Sequence, residues 1–459
     1  MRELTINIAG FPFINFLELS LFKTVNEHVT GMVRGHIPPD QATDIVRKKH
    51  AGDTAEIVVY DEHKNSKTIF NGIILNLDMS VVNGLHLLSL ELISRTYYAD
   101  LEPHTRTFQD STMTYREVVN TISDDSGNIA ILVPGAGDRS IDRMFVQYEE
   151  TDWEFCKRIA SRLNTYALPN YLIERNCFYV GMNPAKDKVT LDAVEYSIKK
   201  DMGEYLVNDA ANTPDYRERD VMYYEMTSRE IYELCDSIAL NGMPLYVYAI
   251  QTKLQGAHLV HTYTLKEKSG FSIREQFNQN LIGASLLGSV IEIERDKVRV
   301  KIFDDVKQKE HKWFLYSTIY SSPDNTGWYF MPEIGDKIRL HLPTEHEEES
   351  YVISCVHMGD RAHADIKSIR TKYQKEVIFY PDSIYISNGT GSHIELHDDR
   401  GITIASNKKI SVQSEDDITI QGQSQILVMA DAGVTIQQSE NQIKVDDVID
   451  ITAGHVRVR

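Results

Sequence analysis

Apolar and polar positions alternate with a period of two through much of the first hundred residues. Leu4-Thr5-Ile6-Asn7-Ile8, Ala55-Glu56-Ile57-Val58-Val59-Tyr60, residues 68–74 and residues 85–93 read as strands, divided by polar turns such as 61–66. Successive strand side chains point to opposite faces, so this period predicts half-buried strands of a barrel or sandwich. From about 105 to 235 the pattern changes. Residues 111–119 read as a helix start. Thr151 and Glu154 form a capping box, each side chain satisfying the other residue's free amide. Trp153, Cys156, Ile159, Ala160 and Leu163 then recur at helical spacing. That helix should bury one face, with Trp153 as a core anchor. Between about 284 and 358, short strands at 290–293, 297–302, 318–320, 328–330, 337–340 and 351–356 predict a small closed barrel of the OB type.

The C-terminal pattern is the most restrictive. Apolar-x-apolar triplets begin at Ile394, Ile402, Ile410, Ile418, Ile426 and Val434, each eight residues after the last. The register then loosens at Ile443, Ile449 and Val456. Each triplet sets two aliphatic side chains on one strand face and a polar residue on the other. Eight residues make one short strand and a corner, one side of a triangle. Three successive octads of one chain could close a coil, but a monomeric helix would then have too few coils to stack. Three chains giving one side each make a long prism with Ile402, Ile404, Ile410, Val412, Ile418, Ile420, Val434 and Ile436 on the axis. Val456 and Val458 take the same inward register at the far end.

Composition narrows the partners. The 459 residues carry 48 Lys and Arg against 67 Asp and Glu, a net charge of −19. An acidic chain without a basic stripe repels nucleic-acid phosphates and anionic headgroups. The cysteines, Cys156, Cys177, Cys235 and Cys355, form no C-x-x-C pair and read as buried free thiols folded in a reducing cytoplasm. The N-terminus has no secretory pattern, and no run of 18 apolar residues appears. No G-x-S-x-G, H-E-x-x-H, P-loop or G-x-G-x-x-G motif occurs. Residues 134–138 are a turn, and His341, His346 and the acidic run 345–349 read as a solvated hairpin. His455 should face outward, so no metal and no cofactor are expected.

Three stretches carry a family resemblance. Gln147-Tyr148-x-Glu150-Thr151-Asp152-Trp153-x-Phe155, with Arg158, is similar to the hub signature of contractile phage tail spikes and of the VgrG spikes of type VI secretion. Gly327-Trp328-Tyr329-Phe330-Met331-Pro332-Glu333-Ile334-Gly335-Asp336 resembles that family's small-barrel segment, and the octads resemble its needle. The resemblance implies a mainly β chain. A hub of two β-barrel domains spans 1–280, with a helical insert at about 105–235. An OB barrel spans 284–358, a linker 359–375 and a trimeric triangular β-helix 376–459. It implies a homotrimer capping a hexameric tail tube among baseplate proteins. Such a trimer carries a PAAR-like tip or effector and pierces a target envelope on sheath contraction. No lysozyme domain fits between barrel and needle, and the chain stops within the repeat, so toxic activity would come from a partner. The chain would be assembled in the bacterial cytoplasm without a signal peptide and leave within the particle.

Two rival readings remain. Trp328, Tyr329 and Phe330 on an OB barrel could stack nucleic-acid bases, which the acidic balance opposes. A trimeric β-helical tail enzyme could cleave glycans with paired carboxylates. Asp398, Asp399, Glu415, Asp416 and Asp417 are acidic, but charged corners also serve solubility, and one-strand-wide faces offer no groove.

Overall fold

The computed structural model describes residues 5–50, 52–182, 188–191, 195–210, 217–307, 309–324, 326–356, 359, 363–445 and 448–457. The chain divides into two compact units, Met1–Met358 and Gly359–Arg459.

The largest element of the first unit is a twelve-stranded sheet. Its N-terminal strands lie in the order Thr5–Ile8, Thr54–Tyr60, Ser66–Val82, Leu85–Ser94, Thr30–Ile37 and Asn15–Thr24. The ladder continues into Met243–Gln255, His258–Lys266, Met222–Ser228 and Tyr196–Lys200. The two-residue period is visible in burial: Ala55, Ile57 and Val59 are buried while their neighbours are half-exposed. Instead of two separate barrels, the described residues form one ladder, and neither half closes on itself. The cause lies at the seam. Asn15–Thr24 and Met243–Gln255 hydrogen-bond to each other, from Thr24 opposite Ala249 to Ser20 opposite Lys253.

Buried polar groups gather at this seam. Lys23 is 2% exposed, its Nζ 3.1 Å from Glu233 Oε2 and 4.3 Å from the Tyr171 ring centre. Burial lowers the pKa of this ammonium against the opposing pull of Glu233. His261 Nδ1 lies 2.8 Å from Thr252 Oγ1, and burial, then Lys23 and Lys67, lower its pKa to about 4.

Two helices, Tyr115–Ser126 and Asp152–Arg162, pack with the sheet Ala167–Pro169, Cys177–Val180 and Ala130–Leu132 around Phe108, Trp153, Phe155 and Phe178. Both helices start with a complete capping box, Thr114 with Glu117 and Thr151 with Glu154.

A five-stranded sheet follows, in the order Trp313–Leu315, Lys297–Ile302, Ser285–Glu294, Lys337–His341 and Tyr351–Cys355. Val290, Val298, Val300, Phe314, Ile338 and Leu340 fill its interior. Its two edge strands meet at a single bridge, Tyr316 to Val352, so the described ladder curls without closing. The strands predicted at 318–320 and 328–330 are instead a loop with one isolated bridge, Ser321 to Gly327. Gly327 has φ of +129°, and a Cβ there would meet the Tyr320 carbonyl oxygen at 2.4 Å. Pro332 has no amide to donate to a ladder. Strand propensity in Trp328-Tyr329-Phe330 is overruled by these flanks.

In the second unit, Lys367–Arg370, Glu376–Phe379, Ser383–Ser387, His393–His397 and Gly401–Ala405 form an antiparallel meander. Its first strand lies in the stretch read as linker. Val434–Gln438, Asn441–Val445 and Ile449–Thr452 make a second meander. Between them, residues 406–433 hold no strand. Successive triplets in the meanders therefore reverse direction, where the sequence reading made each the side of a triangle. Asp398-Asp399-Arg400 turns the chain back, which eight-residue spacing allows as readily as a corner does.

Candidate functional site

The segment that resembles a hub signature sits on the strand Phe145–Thr151 and the helix Asp152–Arg162. Strand alternation gives this segment two neighbours. Phe145 packs into the helical domain, whereas Met144, Val146 and Tyr148 belong to the core of the five-stranded domain. The strand is thus a shared wall.

Charged groups are buried at that wall. Arg158 is 2% exposed and Glu347 is fully buried. Arg158 Nε and Nη2 donate to the two oxygens of Glu150 at 3.1 and 2.8 Å, and Nη1 donates to Glu347 Oε1 at 2.7 Å. Arg162 Nη2 donates to Glu347 Oε2 at 2.9 Å. Arg143 extends the network to Glu275 and Glu348. Phe145 and Phe155 flank Arg158, their ring centres 4.7 and 5.0 Å from its guanidinium carbon. Burial opposes the charge of Arg158, but Glu150 and Glu347 outweigh it and raise its pKa. Arg162 is lowered to about 10, chiefly by burial, with Glu347 opposing and the Arg143 and Arg158 guanidiniums adding to the shift. Burial raises the Glu150 carboxyl against the pull of Arg158.

A second cluster lies beside the helix start. Asp152 accepts from Arg106 Nη1 at 2.6 Å and Gln147 Nε2 at 3.0 Å, and also from Ser126. Gln147 accepts from Arg106 at 2.7 Å and donates to the Glu150 carbonyl at 2.9 Å. Trp153 is core, 4.9 Å from the Phe178 ring centre. Gln147 and Asp152 brace the helix start within the helical domain, whereas Arg158, held by Glu150, reaches Glu347 and forms a joint. It ties the helical domain to the five-stranded one, and fully paired buried charges favour one docking geometry over others.

The sequence reading missed Glu347. It lies in the acidic run read as a solvated hairpin, and that reading is corrected here: Glu348 and Glu349 are exposed, but Glu347 points inward to two arginines. The available signal was Arg158, a cation on the buried face of a helix, which requires a second carboxylate. Cys355 is also a correction. Cys156, Cys177 and Cys235 are buried, but Cys355 is exposed.

In the loop signature, Pro332 is buried, Gly335 has φ of +94°, and Trp328 and Phe330 are exposed with ring centres 5.4 Å apart. In the second unit, Ile384 lies opposite Leu396, Ile386 opposite Ile394, Leu396 opposite Ile402 and Ile394 opposite Ile404. Directly opposed residues share a face. With Ile369, Val377 and Phe379 they make one apolar face on a single-layer sheet. The other face holds Tyr385, Glu395 and Thr403. Among the described residues nothing covers the apolar face: Ile402 is 71% and Ile404 61% exposed. Ile410, Val412, Ile418, Ile420, Ile436 and Val456 are exposed, Val434 is half-buried, and Val458 lies outside the described residues. No group of three or more His, Cys, Asp or Glu side chains among the described residues could hold a metal ion, and no described helix is long and apolar enough to cross a membrane.

No protein-family profile matches the chain, and no curated sequence matches it. Solved structures do. The E. coli c3393 protein is a type VI secretion component with structural similarity to the T4 bacteriophage tail proteins gp27 and gp5. It matches with a TM-score of 0.50 at 11% identity, over 77% of this chain and all of that one. The lidded Francisella PdpA–VgrG complex matches at 0.53 and 10% identity, over 89% of this chain and 80% of that one. The half-lidded form matches at 0.52 and 10%, over 88% of each. At these identities the likeness is one of fold, and it spans the sheets on both sides of the joint. The chain has a VgrG-like spike fold, mainly β and built from several sheets.

Proposed function

We propose that this chain is the central spike of a contractile injection machine and works as a homotrimer. The observation that carries the reading is the uncovered apolar face of the second unit. A single-layer sheet with one apolar face is not stable in water until something covers that face. Burying each Ile or Val fully stabilises by roughly 1.5–3 kcal/mol. Three copies facing inward bury every such residue on one axis. Residues 406–433, which pair with no strand of their own chain, find backbone partners in the other two copies.

In this reading residues 1–280 form the hub, which docks on a hexameric tail tube among baseplate proteins, with each half taking the part of one barrel-like domain. Residues 284–358 form an OB-type barrel that orients the needle. Residues 376–459 carry a PAAR-like tip or an effector and pierce the target envelope when the sheath contracts. The buried Arg158–Glu347 joint passes the load between the helical and five-stranded domains. The role is structural, not enzymatic, in keeping with the tail and secretion components that share the fold. A complex of PdpA with VgrG supports an effector-type partner for a protein of this fold. Assembly is in the bacterial cytoplasm, with export inside the particle. Light scattering on the purified chain at low micromolar concentration tests the reading. A mass of three chains that persists on dilution supports it, and a mass of one chain overturns it.

A further inference from the structure

The seam of the large sheet buries an amine against a carboxyl group, and neither is fully paired. Lys23 lies on Asn15–Thr24, opposite Ile250 of Met243–Gln255, and Glu233 follows it by 210 positions. An ammonium has three N–H donors. Among the described residues Lys23 Nζ has one hydrogen-bond acceptor, Glu233 Oε2, and stands over the face of the Tyr171 ring. Glu233 Oε2 also accepts from Tyr171 Oη at 2.8 Å, whereas Glu233 Oε1 is buried with no hydrogen-bond partner among the described residues. Both groups are held in place. The Lys23 side chain is 2% exposed and that of Glu233 16%. Glu233 N donates to Asp236 Oδ2 at 2.8 Å, and Tyr171 Oη accepts from Leu234 N at 3.1 Å. As an ion pair, the two groups leave buried donors and one buried oxygen without partners, which is costly away from water.

We propose that Lys23 and Glu233 condense to an amide, a covalent cross-link between the N-terminal and C-terminal segments that meet at the seam. The reaction starts from the neutral pair, which forms when one proton moves from Nζ to Oε1. Burial favours that form: it is the largest influence on Lys23 and lowers its pKa. A desolvated neutral lysine is a nucleophile, and Nζ is held 3.1 Å from Oε2, beside the carboxyl carbon it would attack. The Nζ lone pair forms the bond to Cδ. The π pair of the Cδ–Oε2 carbonyl moves onto Oε2, where the Tyr171 hydroxyl stabilises it. Nζ gives a second proton to the Oε1 hydroxyl. The Cδ–Oε1 bond breaks with its electron pair, water leaves, and the pair on Oε2 restores the carbonyl. One ammonium and one carboxylate thus become one secondary amide and one water, with no oxidant, reductant or cofactor. The product discards Oε1, the unpaired oxygen, keeps the hydrogen bond from Tyr171 and removes both charges from the interior. A cross-link that closes so long a loop constrains the unfolded chain strongly. The inference goes beyond the spike reading and does not depend on it.

The test is the intact mass of the full-length chain, purified folded and then denatured for mass spectrometry, with tandem spectra of its digest. The expected mass is that of the sequence less one water. The expected digest holds one branched peptide joining the segments that carry Lys23 and Glu233. Lys23→Met should show its full calculated mass and no branched peptide. Tyr171→Phe keeps the ring beneath Nζ and removes the hydroxyl, so closure should slow by roughly a hundredfold or more and open chain should accumulate. A wild-type chain that stays at its full sequence mass after prolonged incubation leaves only an ion pair and overturns the inference. A lost water that the digest places at any other residues overturns it too. Closure of Tyr171→Phe at the wild-type rate overturns the part given to the phenol.

Discussion

The two units treat charge and hydrophobicity in opposite ways. In the first, Arg158 is buried between two phenylalanine rings and paired with the buried Glu347, and almost all of their hydrogen-bonding capacity is used inside the chain. In the second, Ile402, Val412 and Ile420 are each more than 70% exposed, while the exposed Arg400 pairs with the half-buried Glu395. A buried paired charge marks a region whose partners all come from its own chain. An exposed apolar row in strand register marks a region whose partners do not. The joint in the first unit is finished within a single chain, and the apolar row in the second is one side of something larger.

The largest effect should come from placing a charge in that unfinished row. In the proposed trimer, Ile410→Asp brings three carboxylates onto the axis and forfeits about 5–9 kcal/mol of burial per trimer, before any cost of desolvating the charges. Light scattering should show loss of the three-chain mass, while thermal unfolding of the first unit stays unchanged. A trimer as stable as wild type would remove Ile410 from the axis.

The reverse experiment breaks the finished joint. Arg158→Met leaves Glu150 and Glu347 buried without their shared cation, and should destabilise the first unit by roughly 3–5 kcal/mol. Urea unfolding followed by the fluorescence of buried Trp153 measures it. Adding Glu150→Leu should restore part of the loss by removing a buried carboxylate left without its cation, while Glu347 keeps its pairing with Arg162. If Arg158→Met alone is neutral, the network does not join the two domains.

How much of this was legible follows from the range of each interaction. The helix from Asp152 and its Thr151–Glu154 box were readable because the pairing spans three residues. The core role of Trp153 was readable from helical spacing. Glu347 was not, because its partner Arg158 lies 189 positions away and a run of glutamates ordinarily signals solvent. The period of two in the octads was readable, but strand direction was not: hairpins and triangle sides share the same alternation. The single ladder joining the two halves of the large sheet was hidden for the same reason, since edge pairing between Asn15–Thr24 and Met243–Gln255 leaves no mark on either pattern.

The seam gives a pH test of intermediate size. The folded pKa of His261 is about 4, below the ordinary 6.5. A lowered histidine contributes stability that is fully present above 6.5 and is lost as pH falls towards 4. The loss over that window is roughly 3 kcal/mol. Glu150, raised by burial, acts in the opposite sense, so the comparison is wild type against His261→Gln. Urea midpoints at pH 7 and pH 4.5 should fall further for the wild type. Equal falls would mean that His261 does not titrate as a buried group.

The smallest effect sharpens the contrast most, because it keeps the chemistry and changes only the surroundings. Arg400 Nη2 and Glu395 Oε1 lie 3.0 Å apart, with side chains 66% and 22% exposed. The pair resembles Arg158 with Glu347 in residue types and distance, but water screens it and competes for both partners. Glu395→Gln should change stability by less than about 1 kcal/mol, and the difference should vanish in high salt. Glu395 lies on the polar face of its strand, so the proposed trimer leaves it at the surface. A loss of trimer mass in Glu395→Gln would place that face inside the assembly and reverse the assignment of the two sheet faces.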